Sequence, residues 1–200
     1  MIKAIIFDFG GPIVDWEAGM NAVYRKHEDH HNLERDTLHD FFDTYIKGGL
    51  VADFHSVADF IEKTKPAIDL TIEELNEILE EANAHMFIRP EMIEYIVELK
   101  KKYRIALLSN FTVGLEKFLQ DVFKIYHLFD LVLSSYNLKI RKPDAQIYEH
   151  TLKQLGVQPD EVVFIDDLKE NIKGAEAIGI KGILFKSVDQ CKADLNKLLS

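Results

Sequence analysis

Cysteine is scarce in this 200-residue chain, which contains only Cys191. A single cysteine cannot form an internal disulfide, and this favours a reducing compartment. Long apolar runs are also lacking, since none approaches the ~18 residues that a membrane span needs. The first residues, Met1-Ile-Lys, show no basic region, apolar stretch and cleavage site in succession, so we expect no signal peptide. These absences predict a cytoplasmic protein.

Basic charge is the second shortage. The chain carries 24 Lys and Arg against 34 Asp and Glu, a formal net charge of −10 at pH 7. Nucleic-acid backbones and anionic lipids repel such a chain unless its basic groups are concentrated locally. We therefore expect no nucleic-acid partner and no membrane partner. For the oligomeric state, which the sequence does not determine, we expect a monomer or weak homodimer.

Short apolar runs alternate with helical periodicity over most of the chain. The strand-like runs are rich in Val, Ile, Leu and Phe and cover 3–9, 104–110, 130–135, 161–167 and 181–185. The segments with helical spacing cover 91–102, 112–123, 143–155 and 169–178. Strands that alternate with helices form βαβ units. The sequence therefore predicts an α/β fold, with a parallel sheet covered by helices on both faces.

The segment between the first and second strands has a different pattern. We find no strand-like run there, only helix-like segments at 18–31, 36–46, 56–64 and 71–85. Thr71 and Glu74 have the spacing of a capping box before the last of these. We predict a helical domain over 14–89, inserted into a core domain formed by 1–13 and 90–200.

Polar residues and glycines lie at or after the ends of four of the predicted strands. They are Asp8 with Gly10 and Gly11, Ser109 with Asn110, Arg141 with Lys142, and Asp166 with Asp167. Ligands of open parallel sheets bind outside the carboxyl ends of the strands, so we expect these groups to share one crevice. Clustered carboxylates repel each other unless a cation lies between them. Mg²⁺ suits such oxygen ligands, and a lysine and a serine beside it favour a phosphate substrate.

These segments resemble the four motifs of the haloacid dehalogenase-like hydrolase superfamily. They read FDFGGPIVD (7–15), LLSN (107–110), RKPDAQIY (141–148) and FIDDLKENIKGAEAIG (164–179). The resemblance spans essentially the whole chain and implies a Rossmann-like core with an inserted all-helical C1 cap. Within the superfamily, the chain resembles the branch that contains bacterial α-glucose-1-phosphate phosphatases. These share the glycine two residues after the nucleophile and a cap stretch like that at 45–50.

The resemblance also implies roles for individual residues. Asp8 matches the nucleophile and a Mg²⁺ ligand, and Asp166 and Asp167 match the acidic pair that completes the metal site. Lys142 matches the lysine that neutralises nucleophile and phosphate. The remaining groups are the Gly10 carbonyl as a metal ligand, and the Ser109 hydroxyl with the N–H groups of Asn110 and Gly11 on phosphate. From their position near the cap loop, we also expect Tyr45 and Lys47 to face the substrate when the cap closes.

Gly10 departs from the usual motif, in which a second aspartate serves as general acid and base. The resemblance therefore implies a phosphatase of small phosphorylated metabolites that lacks this group and favours good leaving groups. A non-catalytic module that binds a phospho-ligand or a partner stays open as an alternative. A 2-haloacid dehalogenase is a less favoured one, because dehalogenases carry tyrosine at the position of Gly10 and lack the acidic pair. The sequence leaves the physiological substrate and the turnover rate open.

Overall fold

The computed structural model describes residues 1–15, 17–49, 56–111 and 114–199. The chain divides into two compact units. One unit contains Met1–Val14 and Ile88–Ser200, and the other contains Asp15–Phe87. Among the described helices, none combines the length and apolar character needed to cross a bilayer.

The strands and helices follow each other in the predicted alternation outside the helical unit. The strands are β1 (Ala4–Phe7), β2 (Val14–Asp15), β3 (Phe87–Ile88), β4 (Arg104–Ser109), β5 (Leu131–Ser134), β6 (Val162–Asp166) and β7 (Lys181–Leu184). The helices are α1 (Glu17–His31), α2 (Thr37–Gly49), α3 (Val57–Thr64), α4 (Ile72–Ala84), α5 (Pro90–Lys100), α6 (Leu115–Asp121), α7 (Ser135–Leu138), α8 (Ala145–Leu155), α9 (Lys169–Ala177) and α10 (Val188–Leu199).

A five-stranded parallel sheet forms the centre of the first unit, in the order β5-β4-β1-β6-β7. Every residue of β1 and β6 is buried, as expected for strands covered on both faces. In the sheet, Ile6 of β1 is in register with Ala106 of β4 and with Phe164 of β6. These side chains belong to one apolar cluster that also includes residues of α8 and α9. The predicted α/β fold is confirmed.

The second unit is built from α1 to α4. Its core consists of apolar side chains from all four helices: Met20, Val23, Tyr24, Leu38, Phe41, Phe42, Val57, Phe60, Leu75, Ile78 and Ala82. The predicted capping box is confirmed at the start of α4, where Thr71 accepts the N–H of Glu74 and Glu74 accepts the N–H of Thr71. This reciprocal pair satisfies two donors that an isolated helix end leaves open.

Three details differ from the sequence prediction. Two-residue strands, β2 and β3, pair in a separate sheet within the segment that we predicted to be only helical; two residues are too few to produce an alternating pattern. The helix predicted from 143 begins instead at Ala145, and Pro143 precedes it after a cis peptide bond with Lys142. The helix predicted over 112–123 covers Leu115–Asp121, and positions 112 and 113 lie outside the described residues.

Candidate active site

The carboxyl ends of three neighbouring strands place the candidate residues at one edge of the sheet. Asp8 follows β1 directly, Ser109 is the last residue of β4, and Asp166 is the last residue of β6. Because β4, β1 and β6 are adjacent and parallel, their ends meet at the same edge. Asp8, Ser109 and Asp166 are all buried despite their polarity. Polar groups are rarely buried without partners, so their contacts indicate what the site can do.

Lys142 lies between two of the carboxylates. Its side chain is 1% exposed, and its Nζ is 2.8 Å from Asp8 Oδ1 and 2.6 Å from Asp166 Oδ2. Burial by itself would lower the pKa of Lys142, but the charges of Asp8 and Asp166 outweigh it and raise the pKa. The lysine therefore stays protonated and offsets the repulsion between two buried anions.

Asp8 is held through only one of its carboxylate oxygens. Oδ1 accepts the N–H of Phe9 at 2.7 Å and the ammonium of Lys142. Within the described residues, Oδ2 accepts no hydrogen bond. Burial raises the pKa of Asp8 to about 7, against the effect of Lys142 and with a smaller contribution from Asp166. Asp8 thus presents one fixed oxygen and one oxygen with the freedom to react.

Three carboxylates form a group suited to a divalent cation. Oxygen atoms of Asp8, Asp166 and Asp167 all lie within 4.8 Å of one another. Hard cations such as Mg²⁺ take carboxylate and carbonyl oxygens, and this donor set contains only oxygen. The residues present therefore fit a magnesium ion, and its charge would relieve the repulsion that Lys142 offsets only in part.

Asp166 is surrounded by donors. Its Oδ1 accepts the N–H of Leu168 at 2.8 Å and the Nδ2 of Asn171 at 3.0 Å. Its Oδ2 accepts Lys142 and, at 3.1 Å, the same amide of Asn171. The hydroxyl of Tyr148 in turn donates to the carbonyl of Asn171 at 2.8 Å. The bonds of Asn171 to Asp166 and of Tyr148 to Asn171 could not be predicted from the sequence, although both residues fall within the motif segments.

Two polar residues at the end of β4 have different surroundings. The Ser109 side chain makes no hydrogen bond to another described residue, so its hydroxyl has capacity for a ligand. The Asn110 side chain is paired with the backbone of Lys142, donating to its carbonyl at 3.0 Å and accepting its N–H at 2.9 Å. The predicted contact of the Asn110 N–H with phosphate stays a prediction. The structure shows a further role, in which the Asn110 side chain holds the backbone of Lys142 in place.

Ser135, which was not among the predicted site residues, supports Phe111, the residue after Asn110. The Oγ of Ser135 accepts the N–H of Phe111 at 3.2 Å. Ser135 is fully buried and opens α7, directly after β5. It therefore ties the loop after Ser109 to the neighbouring strand end. No local pattern could have identified it, because a serine after a strand usually only caps a helix.

A comparison of the whole sequence with protein families points to one family. The family model of the haloacid dehalogenase-like hydrolases matches residues 2–179, a span that includes all four motif segments. The chain belongs to the haloacid dehalogenase-like hydrolase family. It is accordingly an enzyme of the hydrolase class.

Curated proteins with similar sequences carry several activities. A sesquiterpene phosphatase of Aspergillus oryzae is 27% identical over 195 residues, which is 94% of this chain and 93% of the relative. A D-ribitol-5-phosphate phosphatase of Bacteroides thetaiotaomicron is 29% identical over 194 residues, 90% of each chain. A (S)-2-haloacid dehalogenase of Burkholderia cepacia is 31% identical over 141 residues, 64% of this chain and 60% of the relative.

A solved structure shows the same fold. A haloacid dehalogenase family enzyme of Bacteroides thetaiotaomicron, crystallised as a mutant with magnesium and inorganic phosphate, superposes with a TM-score of 0.70. The match covers 94% of this chain and 96% of the other, at 20% sequence identity. This similarity confirms the Rossmann-like core that the family resemblance implied.

In this haloacid dehalogenase-like hydrolase, a glycine loop that contains Gly10 and Gly11 follows β1 and Asp8. Gly11 has a positive φ of 77°, and a Cβ there would lie 2.6 Å from Cγ of Asp167, so only glycine fits. The N–H of Gly11 donates to the carbonyl of Val14 at 2.9 Å. Its predicted contact with phosphate stays a prediction and would require this bond to open.

Tyr45 and Lys47 are the two predicted substrate residues of the helical unit. Tyr45 is half-buried and packs against Phe60, with ring centroids 5.7 Å apart. Lys47 lies within α2, but its side chain lies outside the described part of the chain. Their roles toward a substrate stay predictions.

Proposed function

We propose that this haloacid dehalogenase-like hydrolase is a Mg²⁺-dependent phosphatase of small phosphorylated metabolites, acting through an aspartyl-phosphate intermediate. The observation that carries the proposal is the position of Lys142, within 2.8 Å of Asp8 and 2.6 Å of Asp166, beside a third carboxylate. A buried cation between paired carboxylates makes an anion-binding centre when a metal ion is added. The sesquiterpene phosphatase and the D-ribitol-5-phosphate phosphatase, which both match over at least 90% of their length, support the same reaction class.

The metal ion would be held by Asp8, Asp166, Asp167 and the carbonyl of Gly10. Asp166 is fully buried, and both of its carboxylate oxygens already accept hydrogen bonds. When bound, Mg²⁺ supplies positive charge that stabilises the transferring phosphoryl group and holds its oxygens in place.

Asp8 is proposed as the nucleophile, attacking phosphorus through Oδ2. A bond forms between this oxygen and phosphorus while the bond from phosphorus to the leaving oxygen breaks. Lys142 offsets the charge of the phosphoryl oxygens, and the Ser109 hydroxyl donates to one of them. Water then attacks phosphorus, releases inorganic phosphate and restores the Asp8 carboxylate.

Gly10 narrows the expected range of substrates. It lacks the carboxyl group that would protonate the leaving oxygen, and general acid catalysis is worth about 10²–10⁴-fold. Anomeric sugar phosphates, acyl phosphates and aryl phosphates need this proton least. We therefore propose that such esters are turned over better than primary sugar phosphates. The helical segment at 14–89 is proposed as the cap that selects among them, with Tyr45 and Lys47 facing the substrate.

Hydrolysis of p-nitrophenyl phosphate, with and without Mg²⁺, tests the proposal. Its leaving group needs little protonation, so the assay probes the phosphoryl site without the missing acid. Activity should require Mg²⁺ and should be lost in Asp8→Asn. A matched control is Asp160→Asn, because Asp160 is exposed and precedes β6, away from the carboxyl ends of the strands. Mg²⁺-independent activity, or activity that survives in Asp8→Asn, would contradict the mechanism.

Two further measurements, of ligand binding and of chloride release, separate the alternatives. A folded protein that binds Mg²⁺ and phosphate without turnover would favour the non-catalytic binding module. Chloride release from a 2-chloro acid would favour the dehalogenase, which has a relative in its support. The three clustered carboxylates argue against it, because without a cation they would repel a carboxylate substrate.

A further inference from the structure

Arg89 contacts the loop that follows the proposed nucleophile. It directly precedes α5, at the point where the chain re-enters the unit that contains the sheet. Its side chain gives α5 no capping bond. Instead, Nε donates to the carbonyl of Gly11 at 2.8 Å, and its backbone N–H donates to the carbonyl of Ile13, also at 2.8 Å. One residue therefore holds this loop at two points.

The guanidinium also lies over the ring of Phe185. Its central carbon lies 5.6 Å from the ring centroid of Phe185, just beyond the end of β7. Phe185 is buried and donates its N–H to the backbone carbonyl of Asp166 at 2.9 Å. Arg89 thus connects the loop after Asp8 with the residue that supports Asp166.

The glycine loop has little space in which to move. Gly11 packs so closely on the Asp167 carboxyl that an added Cβ would lie 2.6 Å away. Arg89 holds the carbonyl of the same residue. Displacement of Gly11 would therefore alter the position of Asp167 as well as that of the neighbouring Gly10 carbonyl.

We propose that Arg89 is a positioning residue, which fixes the glycine loop so that Asp8, Asp167 and the Gly10 carbonyl keep the spacing that a metal ion needs. This inference rests on the proposed function for its metal ion. Groups that orient metal ligands usually change metal affinity or activity by about 10–100-fold when they are replaced.

Arg89→Gln and Arg89→Lys test the inference, with Arg104→Gln as the matched control. Arg104 also donates its guanidinium to a backbone carbonyl, that of Leu155, but from the first residue of β4 at the opposite end of the strands. Three quantities are compared: hydrogen exchange of the Gly11, Ile13 and Val14 amides in metal-free protein, Mg²⁺ affinity by calorimetry, and kcat and KM for p-nitrophenyl phosphate.

For Arg89→Gln we expect exchange in the loop to rise by about tenfold or more and Mg²⁺ affinity to fall by about 10–100-fold. The kcat should fall with little change in KM. Arg89→Lys keeps one donor and should fall between wild type and Arg89→Gln; it also serves if the glutamine variant fails to fold. Arg104→Gln should leave all three quantities unchanged.

The inference would be overturned if both Arg89 variants matched Arg104→Gln in the hydrogen exchange of the loop and in Mg²⁺ affinity. A wild-type protein that neither binds Mg²⁺ nor hydrolyses the ester would overturn the proposed function instead. The exchange measurement on metal-free protein still decides the role of Arg89 in that case.

Discussion

The side chain of Asn110 and the backbone of Lys142 exchange two hydrogen bonds across 32 residues of sequence. Nδ2 of Asn110 donates to the Lys142 carbonyl at 3.0 Å, and Oδ1 accepts the Lys142 N–H at 2.9 Å. The lysine side chain then extends to Asp8 and Asp166. Asn110, directly after β4, therefore fixes the backbone position from which the Lys142 side chain extends to the two carboxylates.

Asn110→Ala removes both bonds and leaves the N–H and carbonyl of Lys142 without these partners. Since such groups are costly to leave unpaired, we expect the free energy of unfolding to fall by roughly 1–3 kcal/mol. The kcat for p-nitrophenyl phosphate should fall as well, because the backbone of Lys142 is no longer held in place. Urea unfolding and steady-state kinetics measure the two effects. Asn137→Ala, at an exposed position of α7, is the control and should change neither.

Lys142→Met should make stability depend strongly on Mg²⁺. The variant leaves two buried carboxylates without their shared cation, and breaking a buried pair in this way costs about 3–5 kcal/mol. We expect it to be inactive, and to gain more in Tm from Mg²⁺ than wild type does, because the metal ion replaces part of the lost charge. Thermal unfolding with and without Mg²⁺ measures this.

Lys100→Met provides the comparison for that experiment. Lys100 pairs with Asp130 at 3.0 Å, but both side chains are about one-third or more exposed. Its loss should cost no more than about 1 kcal/mol and should not change the response to Mg²⁺. An equal Mg²⁺ response in wild type and Lys142→Met would contradict the proposed shared role of lysine and metal.

The sequence predicted the strands and the polar residues that follow them, because apolar runs and the geometry of parallel sheets are local or general properties. Asp8, Ser109 and Asp166 could be placed together for this reason. The contacts of Ser135 and Arg89 could not be predicted. Each joins a side chain to the backbone of a segment distant in sequence, and no periodicity marks such a pair. The paired strands β2 and β3 were missed because two residues carry no pattern.

Two buried tyrosines should respond oppositely to loss of their hydroxyl. The hydroxyl of Tyr24 has no hydrogen-bond partner among the described residues, whereas that of Tyr148 donates to Asn171 at 2.8 Å. Burial raises the pKa of both phenols, so both remain protonated. We expect Tyr24→Phe to be neutral or stabilising by up to roughly 1 kcal/mol, and Tyr148→Phe to be destabilising by roughly 1 kcal/mol. Denaturant unfolding measures both, and a shared sign would refute the assignment.

Cys191 should be unreactive in the native protein. Its side chain is fully buried, and burial, with a smaller effect of Asp194, raises the pKa of its thiol from 9.0 to about 12. Because the unfolded chain loses this proton first, stability should decrease as the pH rises from about 9 to about 12. At pH 8.5 a thiol reagent such as Ellman's should label the protein only in urea. Rapid stoichiometric labelling without urea would show that the helix α10 opens readily.

Gly10→Asp restores a carboxyl group where many relatives carry their general acid. If the missing acid limits the range of substrates, the variant should gain on esters with poor leaving groups and little on p-nitrophenyl phosphate. The full contribution of such a group is about 10²–10⁴-fold, so a gain of about tenfold in kcat/KM for a primary sugar phosphate is expected even with imperfect placement.

Gly10→Asn distinguishes proton donation from a change in packing. Asparagine has nearly the same size as aspartate, but its amide cannot act as a general acid at neutral pH. An equal gain in Gly10→Asn would mean that packing of the loop, and not protonation, limits turnover. Wild-type activity on primary sugar phosphates as high as on an anomeric phosphate would be equally decisive. It would show that another group already delivers the proton, and that the substitution at Gly10 does not restrict the leaving group.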